Sequence, residues 1–314
     1  MLQTLWWERR SIREMARVLG RSPSSISREL LRNFPPERDI YSPRLAHQRA
    51  LKSRTSRGRK ERLRNELVRV YVIEKLKLRW SPEQISGRIK LDLKETISHE
   101  AIYQFIYHTE SYGKVKGEDL RIYLRRRRKR RQPKGARKYQ RIFKPLGISI
   151  ELRPEIVNQR LRIGDWEGDS VESKNHRPGI NTLVERKIGL TLITKLKTKT
   201  SLSTISAVRE RMRNLPREIK HTITLDNGPE NRDWQTLEEL TGLSVFYAHP
   251  YCSGERGSNE NTNGLIRDYY PKGTDFTRID DEELAYVELL LNTRPRKRLD
   301  WLSPLEALSV ALGS

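Results

Sequence analysis

The chain has 314 residues, with 63 Lys and Arg against 40 Asp and Glu and a formal net charge of +23 at pH 7, an excess that calls for a polyanionic partner, nucleic acid above all. Its single cysteine, Cys252, excludes an intramolecular disulfide and a Cys-rich zinc site and suits a reducing cytosol. No apolar run approaches membrane-spanning length and no signal-peptide pattern opens the chain, so a cytoplasmic protein of two or three domains is expected.

The segment SIREMARVLGRSPSSISRELLRN, residues 11–33, reads as two helices around a turn. Ser11 and Glu14 form a capping box, Ile12, Met15, Ala16 and Leu19 follow at helical spacing, and Gly20 stops the first helix. Ser22 caps the second, opened by Pro23, with Ile26 and Leu30 inward. This is a helix-turn-helix, predicted over 1–35, whose second helix offers Ser24, Ser25, Ser27, Arg28 and Arg32 to a major groove and its phosphates. Only ten residues precede Ser11, so a short supporting helix is expected, and with it either a clipped, less stable domain or a chain whose start is given too late. Residues 36–60 read as a basic linker with a short helix at 42–54.

Helical periodicity returns at 61–110, with Leu63, Leu67, Val70, Tyr71, Ile73 and Leu76. In WSPEQISGRIK, Ser81 caps, Pro82 opens the helix and Gln84 completes the box, leaving Ile85 and Ile89 inward. ISHEAIYQFIYH gives a further helix, capped by Ser98, with Ile102, Phe105 and Ile106 inward. A second helix-turn-helix is expected here, with His99, Glu100, Tyr103, Gln104 and Tyr107 exposed. His99 and His108 lack neighbours at metal-ligand spacing and read as DNA-facing. Within a second basic linker, 111–160, the run Arg125, Arg126, Arg127, Arg128, Lys129, Arg130 and Arg131 reads as a DNA clamp.

From residue 161 the pattern changes to alternation. A strand over 163–172 puts Asp165, Glu167 and Asp169 on one face. NTLVERK and GLTLITKLK follow as a hairpin, then a helix at 201–214, a strand at 221–226, a helix near 232–241, a strand at 244–249 and a helix carrying Glu260. The order β-β-β-α-β-α-β-α predicts an RNase H-like α/β domain over 161–314 with a mixed central sheet. The whole is thus an α+β multidomain chain with helical modules first. In that layout the first and fourth strands are neighbours, so Asp169 meets Asp226 of TLDNGPE, and the helix after the fifth strand delivers Glu260. Three clustered carboxylates suit two-Mg²⁺ phosphoryl transfer. Without metal they should repel, and at least one should take up a proton. Arg267 stands two turns beyond Glu260. A last helix at 281–292 precedes NTRPRKR, where Arg294, Arg296 and Lys297 read as phosphate contacts.

SIREMARVLGRSPSSISREL, WSPEQIS, ISHEAIYQFIY, RIGDWEGD, TLDNGPE, RGSNENTNGLIRDYYPKGTDF and LNTRPRKRLDW together resemble, over essentially the full length, the bacterial insertion-sequence transposases of the IS30 type, within the DDE transposase and integrase superfamily. The resemblance implies a triad of Asp169, Asp226 and Glu260, the last two separated by residues 227–259. WEGD selects Asp169 over Asp165 and Glu167, which are left to pair with local arginines. Asn227 and Gly228 shape the turn, and Asn259, Asn261 and Asn263 cap the helix or bond DNA. It further implies Mg²⁺, with Mn²⁺ able to substitute, a phosphate contact from Arg267, and a double-stranded DNA partner comprising inverted-repeat ends and target. A homodimer or larger synaptic complex and a nucleoid-associated cytoplasmic location follow in the same way. A departure is Gly254, where the family carries an aromatic, typically Trp, that would touch the reactive DNA end. The alternative is a repressor that kept the fold and lost activity.

Overall fold

The computed structural model describes residues 1–33, 41–57, 63, 65–107, 114–115, 118–125, 147–250 and 252–313, and the chain divides into two units, Met1–Arg64 and Asn65–Ser314. His108 and the basic run from Arg126 to Arg131 lie outside the described residues.

The first unit holds α1 (Leu2–Trp7), α2 (Ile12–Leu19), α3 (Pro23–Asn33) and α4 (Pro43–Arg57). The capping box forms as predicted: Glu14 N donates to Ser11 Oγ at 3.3 Å and Ser11 N to Glu14 Oε2 at 2.9 Å. Gly20 closes α2 at φ +61°, the left-handed conformation that glycine adopts without penalty. Met15, Ala16, Ile26 and Leu30 pack with Leu5 of the short α1. Tyr41 and Ala46 join them, and the Tyr41 hydroxyl donates to Glu29 Oε1 at 3.0 Å. The stretch read as a linker therefore contributes to this core.

The second unit begins with α5 (Glu66–Lys77), α6 (Pro82–Leu93) and α7 (His99–Tyr107), each with a capped start: Asn65 caps α5, the Ser81–Gln84 box opens α6, and Ser98 Oγ accepts from Ala101 N in α7. Of the predicted positions Leu63, Tyr71 and Leu76 are buried, whereas Leu67 and Val70 are 73% and 44% exposed and Val68 and Val72 of α5 are buried in their place. A short hairpin, β1 (Lys114–Val115) and β2 (Glu118–Asp119), and the one-turn α8 (Glu155–Asn158) lead to the sheet.

The sheet contains β3 (Asp165–Val171), β4 (Ile180–Glu185), β5 (Thr191–Lys195), β6 (Thr222–Leu225) and β7 (Ser244–Tyr247), in the order β5-β4-β3-β6-β7. β3, β4 and β5 pair antiparallel, while β6 and β7 join β3 in parallel through α9 (Ser201–Arg213) and α10 (Trp234–Thr241). Trp166, Leu183, Ile223 and Val245 pack against Ile205 and Val208 of α9 and Leu237 of α10. Val171, Ile180 and Ile193 pack on the other face, against Leu265 and Ile266 of α11 (Gly257–Tyr269) and Leu284 and Leu291 of α12 (Asp281–Asn292). This is the RNase H-like mixed sheet with helices on both faces. α13 (Pro304–Leu312) closes the unit, and Arg88 of α6 holds it by a forked ion pair with Glu306, 2.6 and 2.7 Å. No described helix is long and apolar enough to cross a membrane.

Candidate active site

Alternation along β3 sends Trp166 toward α9 and turns Asp165, Glu167, Asp169 and Val171 toward α11. The parallel ladder matches Asp165 with Thr222 and Glu167 with Thr224. Two residues on, Asp169 and Asp226 come level, just past the last residue of β6. Both reach one cation: Arg256, immediately before α11, lies 3.2 Å from Asp169 Oδ1 and 3.3 Å from Asp226 Oδ2. Its Nη1 also donates to the Gly168 carbonyl at 3.1 Å. Asp226 accepts from Asn231 Nδ2 at 2.7 Å and from the Gly228 amide at 3.2 Å. Asn227 donates to the Ala248 carbonyl at 2.6 Å, so Asn227 and Gly228 do shape the turn.

Asp169 Oδ2 accepts from Asn263 Nδ2 at 2.8 Å. Burial lifts the Asp169 carboxyl above the usual carboxylate range; Arg256 opposes the rise and the charge of Asp226 adds to it. The repulsion expected of crowded carboxylates is thus met partly by an internal guanidinium.

The two inner carboxylates of the row are spent on structure. Asp165, 1% exposed, pairs with Arg162 at 3.0 Å and accepts from Thr222 Oγ1 at 2.9 Å. Glu167 is fully buried, pairs with Arg186 and accepts the Asn259 amide at 2.8 Å, which ties the start of α11 to β3. Asn259, also fully buried, donates to the carbonyls of Glu167 and Thr182 at 3.0 and 3.3 Å. Asn259 and Asn263 therefore lock helix to sheet; neither caps the helix nor is Asn259 open to DNA. Glu260 is exposed in the first turn of α11, four residues after Arg256 and three before Asn263, on the helix flank that supplies both Asp169 partners. Among the described residues no group of three His, Cys, Asp or Glu stands close enough to hold a metal ion. Asp169 and Asp226 are together, and Glu260, exposed in the first turn of α11, does not close the triad.

The chain is 37% identical over 296 residues to the transposase for insertion sequence element IS4351 of Bacteroides fragilis, covering 94% of this chain and 89% of that one. To the transposase for IS1086 of Cupriavidus metallidurans it is 34% identical, covering 97% and 90%. To transposase InsI for IS30A of Escherichia coli K12 it is 38% identical, covering 95% and 78%. The chain belongs to the IS30-type transposase family.

Residues 2–33 of the transposase match a family described as a helix-turn-helix domain. Among solved structures, the catalytic core domain of BIV integrase is 17% identical with a TM-score of 0.38, covering 48% of this chain and 96% of that one. The HTLV-2 integrase core in complex with magnesium is 23% identical with a TM-score of 0.35, covering 46% and 97%. The fold assignment rests on the strand order and not on these scores.

The remaining predicted site residues among those described fall into four places. In the first unit Ser24, Ser25, Arg28 and Arg32 are exposed on α3 and Ser27 is half-buried; Arg28 Nε donates to the Ser24 carbonyl at 3.1 Å. On α7, His99 is exposed and Gln104 bonds Glu100 at 3.1 Å. Tyr103, Arg125, Arg294, Arg296 and Lys297 converge on one cleft of about 650 Å³. Within it Arg294 is 3% exposed and bonds the Arg79 carbonyl, so it is a wall residue and not the open surface cation its basic run suggests. Arg267 donates to the carbonyls of Glu172 and Pro271 at 3.0 and 3.4 Å, bracing α11 against the end of β3. Gly254 is exposed, with open space where a side chain would stand. Sequence reasoning missed Arg256; its place four residues before Glu260, one helical turn away, was the available signal.

Proposed function

We infer that this transposase is a DDE enzyme that binds the terminal inverted repeats of an insertion sequence, cleaves there and joins the 3′-hydroxyl to target DNA. The observation that carries the reading is the meeting of Asp169 and Asp226, level on adjacent parallel strands and sharing one cation at 3.2 and 3.3 Å. Two hard carboxylate donors already arranged around a positive charge fit a divalent ion such as Mg²⁺, with Mn²⁺ as a substitute. Glu260 on the neighbouring flank of α11 is the third proposed ligand. When bound, two such ions supply Lewis-acid polarisation of the scissile phosphate and activation of the attacking hydroxyl.

The protein's own groups do the positioning. Asn231 and Asn263 each fix one carboxylate oxygen, so the pair presents its remaining oxygens in a set direction. Arg256 neutralises the aspartates until they are used, and the buried Glu167–Arg186 pair keeps α11 in register with β3. Arg267 is assigned a phosphate near the reacting centre. The exposed hydroxyls and cations of α3 take the repeat duplex, His99 and Gln104 of the second helical module extend that contact, and the Arg125–Arg131 run clamps the backbone. Two ends must be held at once, so the working complex is a homodimer or larger.

Asp226→Asn should abolish strand transfer while repeat binding stays within a few-fold. Transfer at the original rate by that variant, measured with labelled element ends and Mg²⁺, sinks the mechanism. Unaltered protein that binds its own ends but never transfers them would leave a repressor on the same fold.

A further inference from the structure

Arg256, just before α11, and Asn263 within it bond the aspartates, but residues 258, 261, 262 and 265 border the 650 Å³ cleft on the helix's other side. That cleft plays no part in the chemistry above. Its walls are joined tightly: a Cβ at Gly87 of α6 would overlap the Trp301 ring, so helix and C-terminal segment touch backbone to indole.

The lining is strongly cationic, with Arg79, Arg125, Arg294, Arg296, Lys297 and Arg298. Among the described lining residues Glu83 is the one carboxylate, and it lies 3.7 Å from Lys297. Arg294 Nε, Arg296 Nε and Ser258 Oγ are buried there with no hydrogen-bond partner. Burial pushes Arg296 down to about 10, and Arg294, Arg298 and Arg125 push the same way with no carboxylate opposing them. Arg125 is paired with Asp268 at 3.3 Å, and Asp268 also favours the charged form of Arg294, so the guanidinium left without a carboxylate is that of Arg296; burying it without a counter-ion is costly, and an anion removes the cost. At the rim, Tyr103 and Tyr107 are 36% and 57% exposed, with ring centroids 6.5 Å apart and planes 24° apart. Exposed aromatic faces beside arginines are what unpaired bases stack on, whereas a duplex keeps its base faces inside the stack.

We propose that this cleft holds a single DNA strand, one phosphodiester on Arg294, Arg296 and Ser258 and an unpaired base on the Tyr103–Tyr107 pair. It rests on the preceding reading only in taking DNA as the substrate. The strand so held lies across α11 from Asp169 and Asp226, one helix width from the proposed chemistry, and would keep the DNA beside a cut end unpaired.

The full chain is titrated, without metal, against labelled oligothymidylate and against duplex carrying the element's repeat. Tyr107→Ala should weaken single-strand binding roughly five- to 150-fold, the range of one lost stacking contact. Arg296→Gln should lower the single-strand salt slope by about 0.7, one phosphate. Both should leave repeat binding within twofold. Photocrosslinking of an iodouracil-substituted oligonucleotide should label the α7 peptide. Because Arg296 is mostly enclosed, the exposed Tyr107 variant and the crosslink keep the test open if Arg296→Gln fails to fold. Unchanged single-strand affinity in Tyr107→Ala, equal losses on duplex, or no α7 crosslink each overturn the proposal. Asp226→Asn should bind the single strand like the unaltered protein, so loss of the catalytic reading and loss of this one register separately.

Discussion

Asn259→Ala tests whether α11 is held to the sheet by side-chain hydrogen bonds and not by apolar packing alone. Asn259 is fully buried; it donates to the Glu167 carbonyl at 3.0 Å and to the Thr182 carbonyl at 3.3 Å, and its Oδ1 competes with the Asp169 carbonyl and Asn263 Oδ1 for the single Thr182 hydroxyl proton. A net value of about 1 kcal/mol for each donated bond gives a loss of about 2 kcal/mol. The backbone bond from Asn259 N to Glu167 survives the substitution, so the helix should stay formed but loosened at its start. For a unit of this size, each kcal/mol lowers Tm by about 2–4 °C, so a fall of roughly 4–8 °C is expected by calorimetry. Strand transfer should fall with it, because Asn263, one turn on, sets an oxygen of Asp169. Repeat binding through the first unit should not change. Asn261→Ala, two residues away and exposed, is the control and should leave Tm unaltered. A Tm for Asn259→Ala within a degree of the control would refute the reasoning and return α11 docking to Leu265 and Ile266.

Arg256→Ala leaves Asp169 and Asp226 facing each other without their shared cation, and the Asp169 carboxyl, already lifted by burial, should rise further. Mn²⁺ binding at neutral pH, followed by electron paramagnetic resonance, should tighten severalfold, and weaker binding would mean that Arg256 assists the ion. A separate test concerns the Arg88–Glu306 fork, which holds the Glu306 carboxyl down to about 2, below its unfolded value near 4.3. Because the folded pKa is the lower one, the stabilisation is complete above the unfolded value and is lost as the pH falls from about 4.3 to 2. Glu306 is 41% exposed, so solvent screening reduces the effect of Glu306→Gln to about 1 kcal/mol at pH 7. Urea midpoints of the two proteins should converge near pH 2, and a constant gap across that range would show that packing, not charge, separates them.

What the sequence displayed was whatever depends on neighbours in the chain. Period two along β3 revealed the acidic row, the DNG turn fixed the end of β6, and the order of elements fixed which strands lie side by side. What it concealed depends on partners far away in the chain. Leu67 and Leu76 of α5 look alike in the helical pattern, yet only Leu76 is buried. Arg294 and Lys297 belong to one basic run, but the segment turns the first inward to bond Arg79 and leaves the second in solvent. Arg256 looked like one cation among many because its partners are 87 and 30 residues away (256 minus 169, 256 minus 226).

The row itself carries the sharper lesson. Asp165, Glu167 and Asp169 are equivalent by alternation, and what separates them is position along a ladder that ends at β6. The inner two face residues that neutralise them, Arg162 and Arg186, and cannot gain a second cation without losing the first. Asp169 stands level with Asp226 where the paired strand stops, its neutralising charge on Arg256, which it shares with Asp226. On the proposed reading, Asp169 is the carboxylate left for chemistry because the strand beside it has ended.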